Sequence, residues 1–168
     1  MKRHIIKEVE ARLPSAFLDH ANWADAYQFS PLNERLNAQE ALDRMFGVNP
    51  PFWIVALNGM RNRIVGVFWV KPGKITVDAA QSDAFPILET TEEVAVLGFD
   101  DWHLNFRVVI QVTEQGTAQA VTLTTLVHRK TWFGRGYIFL VTPFHRLVVK
   151  RLLLNLSLNA GQAGPFPA

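Results

Sequence analysis

The sequence predicts an α+β fold in which a curved antiparallel sheet wraps around one long C-terminal helix, and three observations carry that prediction. Between about residues 85 and 141, apolar residues recur with a period of two between turn-forming strings, the pattern of half-buried strands joined as antiparallel hairpins. Residues 142–156 are apolar over more than half a helical circumference, with basic residues on the remainder, and such a helix must be largely covered. Ahead of both lies a single strand followed by two short helices.

In chain order, residues 1–20 read as an irregular or partly helical N-terminal arm, because Leu13-Pro14 breaks any continuous helix. The alternating run Asp25-Ala26-Tyr27-Gln28-Phe29, ended by Ser30-Pro31, predicts the first strand. Asn37 with Glu40 three residues on has capping-box spacing, so a helix is expected over 38–46, stopped by Gly47. Asn49-Pro50-Pro51 opens a second helix, whose apolar positions Trp53, Ala56, Leu57, Met60, Ile64, Val67 and Phe68 fall at three- and four-residue steps. A loop follows over 71–83, turning at Pro72-Gly73.

Strands are then predicted over 85–89, 93–99, 102–113, 119–129 and 136–141, the last preceded by a turn at Trp132-Phe133-Gly134. Thr142 and Pro143 read as N-cap and first residue of the final helix. The expected organisation is an arm over 1–20, one domain over 21–157 and a Gly- and Ala-rich tail over 158–168.

Composition narrows the function classes. A chain of 168 residues with 49% hydrophobic residues, five tryptophans and twelve phenylalanines can bury a self-sufficient, aromatic-rich core. Cysteine is absent, which removes disulfides, thiol nucleophiles and thiolate metal sites together and fits a cytoplasmic location. The N-terminal residues carry positive charge without the apolar run of a signal peptide. The longest apolar stretches, 52–57 and 64–70, fall far short of the roughly 20 residues a membrane span needs, so no membrane span is expected.

Charge is unevenly laid out. Asp78, Asp83, Glu89, Glu92, Glu93, Asp100 and Asp101 fall in a stretch without lysine or arginine, whereas Arg129, Lys130, Arg135, Arg146, Lys150 and Arg151 fall in one without acids. The expectation is that the two regions neighbour and neutralise each other. Nucleic acid is not an expected partner, since the basic residues belong to no ribonucleoprotein-type aromatic motif or helix-turn-helix.

Candidate chemistry centres on two histidines. Alternation from Trp102 to Val108 places Trp102, Leu104, Phe106 and Val108 on the helix-facing side and His103, Asn105 and Arg107 on the other. Those three are either a solvated outer face or a polar set orienting a ligand, with Asp100 and Asp101 beside the imidazole to fix its tautomer. His145 shares a helical stripe with Val149, Leu152 and Leu156, and is either a core histidine or a cavity-facing acid/base. The five histidines show no metal-binding spacing, and no GxSxG elbow, phosphate loop or GxGxxG occurs, so neither metal nor cofactor is expected.

Several strings carry a resemblance: Ala24-Asp25-Ala26-Tyr27, Leu57-Asn58-Gly59-Met60-Arg61-Asn62, the run from Leu97-Gly98-Phe99-Asp100-Asp101-Trp102-His103 to Arg107, and Gly134-Arg135-Gly136-Tyr137 through Pro143-Phe144-His145-Arg146. Over roughly residues 23–156 the chain resembles a bacterial domain-of-unknown-function family, numbered 2867, placed in the START-like, helix-grip superfamily. Members of that superfamily hold lipids, sterols, polyketides or hormones between sheet and helix, and some are cyclases, hydrolases or aromatase-like enzymes. No catalytic set of theirs maps onto this chain residue by residue. The resemblance implies Arg61, Asn62, Asp101, His103, Arg107, Arg135, Tyr137 and His145 as ligand-binding positions.

Three functions follow as expectations. The first is a binder of a hydrophobic or amphipathic small molecule in a cavity between sheet and C-terminal helix. The second is an enzyme acting on a polyketide or acyl substrate, with His103 or His145 as acid/base and Arg61 or Arg135 holding an anionic group. The third is a dimerisation or interaction module using a sheet face and the tail.

Overall fold

Period-two alternation becomes antiparallel pairing throughout the sheet. The computed structural model describes residues 5–46 and 86–158. In chain order these form β1 (Ile5–Val9), β2 (Trp23–Leu32), α1 (Ala38–Phe46), β3 (Ile87–Thr90), β4 (Val94–Asp100), β5 (Leu104–Gln115), β6 (Ala118–Arg129) and α2 (Trp132–Leu158). The six strands make one curved sheet in the order β1-β2-β6-β5-β4-β3. The longest hairpin, β5–β6, runs in unbroken register from Leu104↔Arg129 to Gln115↔Ala118 and turns at Gly116, whose φ of 65° suits a residue without Cβ.

The predicted helix over 38–46 forms with its capping box closed both ways. Asn37 Oδ1 accepts from the Glu40 amide at 2.8 Å, and Glu40 Oε2 accepts from the Asn37 amide at 2.9 Å. Its apolar face, Ala38, Ala41, Leu42 and Met45, is buried. Asn155 on α2 donates to the Met45 carbonyl at 2.9 Å, tying the end of α1 to α2.

The structure corrects three expectations. The N-terminal arm contains β1, which pairs along β2 from Ile5↔Ser30 to Val9↔Ala26; a five-residue edge strand gives too short an alternation to stand out from sequence. The strand expected over 136–141 is helix, and so is the expected turn at Trp132-Phe133-Gly134. A short apolar run does not distinguish strand from buried helix, and here the helical phase wins because it aligns Gly134, Ile138, Val149, Leu152 and Leu156 on one buried face. The helix is therefore capped by Thr131, whose Oγ1 accepts from the Gly134 amide at 3.1 Å. Thr142 and Pro143 lie inside it, and Thr142 donates its hydroxyl to the Ile138 carbonyl at 2.6 Å. The second helix, the loop over 71–83, and the tail beyond residue 158 lie outside the described residues.

Both faces of the sheet are covered at its centre. On one side Tyr27, Phe29, Ile110 and Leu123 pack against α1 and against Val149 and Leu153 of α2, so side chains occupy the space beneath the C-terminal half of α2. On the other, Val96, Val109 and Leu126 pack against Phe17 and Leu18 of the β1–β2 connection. No helix among the described residues is long and apolar enough to cross a membrane.

Candidate functional site

Along β2 the helix-facing positions read Asp25, Tyr27, Phe29, so a carboxylate and a phenol sit within an otherwise apolar alternation. Asp25 lies directly opposite Thr125 of β6, and α2 crosses above them carrying His145. His145 Nε2 lies 2.9 Å from Thr125 Oγ1 and 3.2 Å from Asp25 Oδ1. Asp25 is 8% exposed and Thr125 1%, and Trp23 meets the imidazole edge-on with ring centroids 6.0 Å apart. The Asp25 carboxylate holds the Nε2–H tautomer, because a lone pair there would face a negative oxygen.

Two buried oxygens at this place have no hydrogen-bond partner: Asp25 Oδ2 and the Tyr27 hydroxyl. Burial, reinforced by Asp25 and Glu8, pushes the Tyr27 phenol above its ordinary range, with Arg146 opposing. Lys150 approaches the Tyr27 ring at 5.8 Å from its centroid. Both oxygen partners of His145 converge on one nitrogen, so the trio is not a nucleophile–base–acid relay, which needs the acid on Nδ1 and the nucleophile on Nε2.

Toward the start of α2 lies a second cluster. His103 is 7% exposed, its Nδ1 3.7 Å from Asp101 Oδ2, and its ring contacts Trp102, Phe133 and Tyr137 at 5.0, 5.6 and 6.2 Å. Gly134 makes this possible: a Cβ there would come within 2.5 Å of the His103 carbonyl oxygen. The expected faces are thus correct from Leu104 onward and wrong before it. Leu104, Phe106 and Val108 pack on the helix side, but Trp102 is half exposed and His103, preceding the regular strand, turns under α2 instead of sharing a face with Asn105 and Arg107.

The remaining candidates scatter. Arg107 lies on the opposite sheet face, donating to Asp100 Oδ1 at 2.7 Å and to the Phe99 carbonyl at 3.1 Å; that bond holds the Asp100 carboxyl below its ordinary range. Arg135 is exposed on α2. Arg61 and Asn62 lie outside the described residues. Of the predicted set, Asp101, His103 and Tyr137 come together, and His145 joins Asp25 and Thr125, which sequence reasoning did not single out. The legible signal was Asp25, an acid on the same alternating face as Tyr27 and Phe29.

Between the described parts of the acidic and basic stretches, Lys130 Nζ donates to the Asp101 carbonyl at 2.8 Å and, beside the Arg107 bond, its charge helps to lower the Asp100 carboxyl. On the sheet face away from α2, an open cleft of about 310 Å³ lies beneath the β1–β2 connection, lined by Arg12, Gln111, Thr122 and Thr124 among others. Among the described residues no group of three or more histidines and carboxylates is placed to hold a metal ion.

Residues 17–152 match the model of a family described as "Protein of unknown function (DUF2867)". No curated protein and no solved structure matches the chain.

Proposed function

We propose, for a chain that belongs to the DUF2867 family, that it binds a small amphipathic molecule between the sheet and α2, with the polar end of the molecule at Asp25, Tyr27 and His145. The observation that carries the proposal is the pair of buried, unpartnered oxygens, Asp25 Oδ2 and Tyr27 Oη. A buried polar atom without a partner costs on the order of 1–3 kcal/mol, and a ligand hydroxyl would recover that cost by donating to Asp25 and accepting from Tyr27. Trp23, Phe106 and Tyr137, all partly buried against Leu104, Val127 and Ile138, supply an apolar wall on the N-terminal side of the trio.

A sheet curved about a C-terminal helix supports placing the family among START-like proteins, whose ligands occupy this same layer. His103 with Asp101 stands near the far end of the wall, where Tyr137 is about two helical turns, roughly 12 Å, from His145. Binding is preferred to turnover because Thr125 and Asp25 share one nitrogen of His145, which leaves no activated nucleophile.

Native mass spectrometry of freshly purified protein, followed by denaturation and identification of what is released, tests the reading. The expected result is a stoichiometric small molecule bearing a hydrogen-bond donor, lost in Asp25→Asn. An apo mass for the wild type, together with no change in tryptophan fluorescence on titration with a hydroxylated fatty acid, overturns it.

A further inference from the structure

α2 is apolar beyond the face it buries, which carries Ile138, Val149, Leu152 and Leu156 into the core. Around the remainder of a 3.6-residue wheel stand Trp132, Phe139, Phe144 and Leu147, with Leu147 directly opposite Ile138, and Trp132 and Phe139 are 84% and 85% exposed. A run of exposed large apolar side chains along one helix marks a surface made for an occupant. Charge decides which one. Arg135, Arg146 and Arg151 are exposed along the same helix, no acid occurs between Arg129 and Leu158, and none of the three cations forms an ion pair among the described residues. Packing this face on a second copy in a two-fold contact would set each patch against itself, cation facing cation with no carboxylate between.

We infer that the outer face of α2 is a docking surface for an anionic lipid bilayer, lying in the plane of the interface. Aromatic and aliphatic side chains enter the headgroup boundary while the flanking cations meet lipid phosphates. The helix does not cross, in keeping with its charges and hydropathy. This inference stands independently of the ligand reading, since it uses the exposed side of the helix.

The test is sedimentation of the full chain with vesicles of phosphatidylcholine alone and of phosphatidylcholine with phosphatidylglycerol. The expected result is partition into the mixed vesicles only, falling with added salt. Phe139→Glu with Leu147→Glu should lower it roughly tenfold or more, and Arg135→Gln with Arg151→Gln by about tenfold, with melting temperature unchanged in both variants. No partition into mixed vesicles overturns the inference, as does equal, salt-insensitive partition into both compositions. A lipid-free dimer dissolved by Phe139→Glu would assign the face to a second copy instead, and a core-sized drop in melting temperature would assign it to the chain's own packing.

Discussion

His145 on α2 and Asp25 on β2, separated by 120 residues in the chain, meet with Nε2 3.2 Å from Oδ1. The contact fastens the middle of the long helix to the sheet, with Trp23 of the aromatic cluster packed edge-on against the imidazole. Removing the imidazole leaves a carboxylate buried without any partner, whereas Asp25→Asn leaves a neutral amide. His145→Ala should therefore lower unfolding free energy by roughly 3 kcal/mol and Asp25→Asn by about 1 kcal/mol. Urea denaturation measures both, and changes under about 0.5 kcal/mol in each would show the contact to be idle.

Tyr27 should titrate late. The chain has two tyrosines, so in Tyr137→Phe the ultraviolet phenolate signal reports Tyr27 alone, and its midpoint should lie above 10.0. Asp25→Asn removes one of the raising charges and should bring the midpoint down. Because the folded value is raised, the neutral phenol's contribution to stability is intact below 10.0, the unfolded value, and is lost as pH rises through the folded one. A midpoint at or below 10 would refute the burial of this hydroxyl.

Tyr27→Phe offers a sharper reading of the same atom. If the hydroxyl waits for a ligand, the ligand-free variant should be as stable as wild type or slightly more so, while the variant should release no small molecule. A loss near 2 kcal/mol in ligand-free protein would mean the hydroxyl has a partner within the fold.

The Asp100–Arg107 pair predicts a small acid-side effect of opposite sign. The folded Asp100 value lies below 3.8, so its contribution is present above 3.8 and is lost as pH falls through the folded value. The Asp100 side chain is more than half exposed, which keeps the contribution below about 1 kcal/mol. Arg107→Gln should flatten the fall in urea midpoint as pH drops below 3.8; an unchanged slope would show that the pair contributes nothing.

Leu152 and Leu147 differ only in which side of α2 they occupy. Leu152→Ala should cost about 2–5 kcal/mol through the cavity it leaves, and Leu147→Ala under about 0.5 kcal/mol. Equal melting shifts would mean the helix is rotated from the orientation described.

Gly134→Ala reverses the usual order of helix propensities. Alanine ordinarily gains about 1 kcal/mol over glycine inside a helix, but here its methyl would press on the His103 carbonyl oxygen, so the variant should be less stable than wild type and His103 should move. A stabilised variant would show that the close approach is not maintained.

The sequence by itself determined the elements whose signals are local. The Asn37–Glu40 capping box, the helix over 38–46 and the alternation of the three strands nearest Leu97, Ile110 and Leu123 were all legible, because each depends on residues within a few positions of one another. So was the final helix from Thr142 onward, since its apolar stripe has an unambiguous period. Tertiary structure decided what local signals left degenerate. Gly136-Tyr137-Ile138-Phe139-Leu140-Val141 suits strand or helix equally, and it becomes helix because only that phase places Gly134 on the His103 carbonyl and Ile138 on Leu104 and Val127. The site was hidden for the same reason. His145 could be named from its stripe, but Asp25 and Thr125 reach it from strands 120 and 20 residues away, and a hydrogen bond between distant segments leaves no period in the chain, only a polar residue on an apolar face.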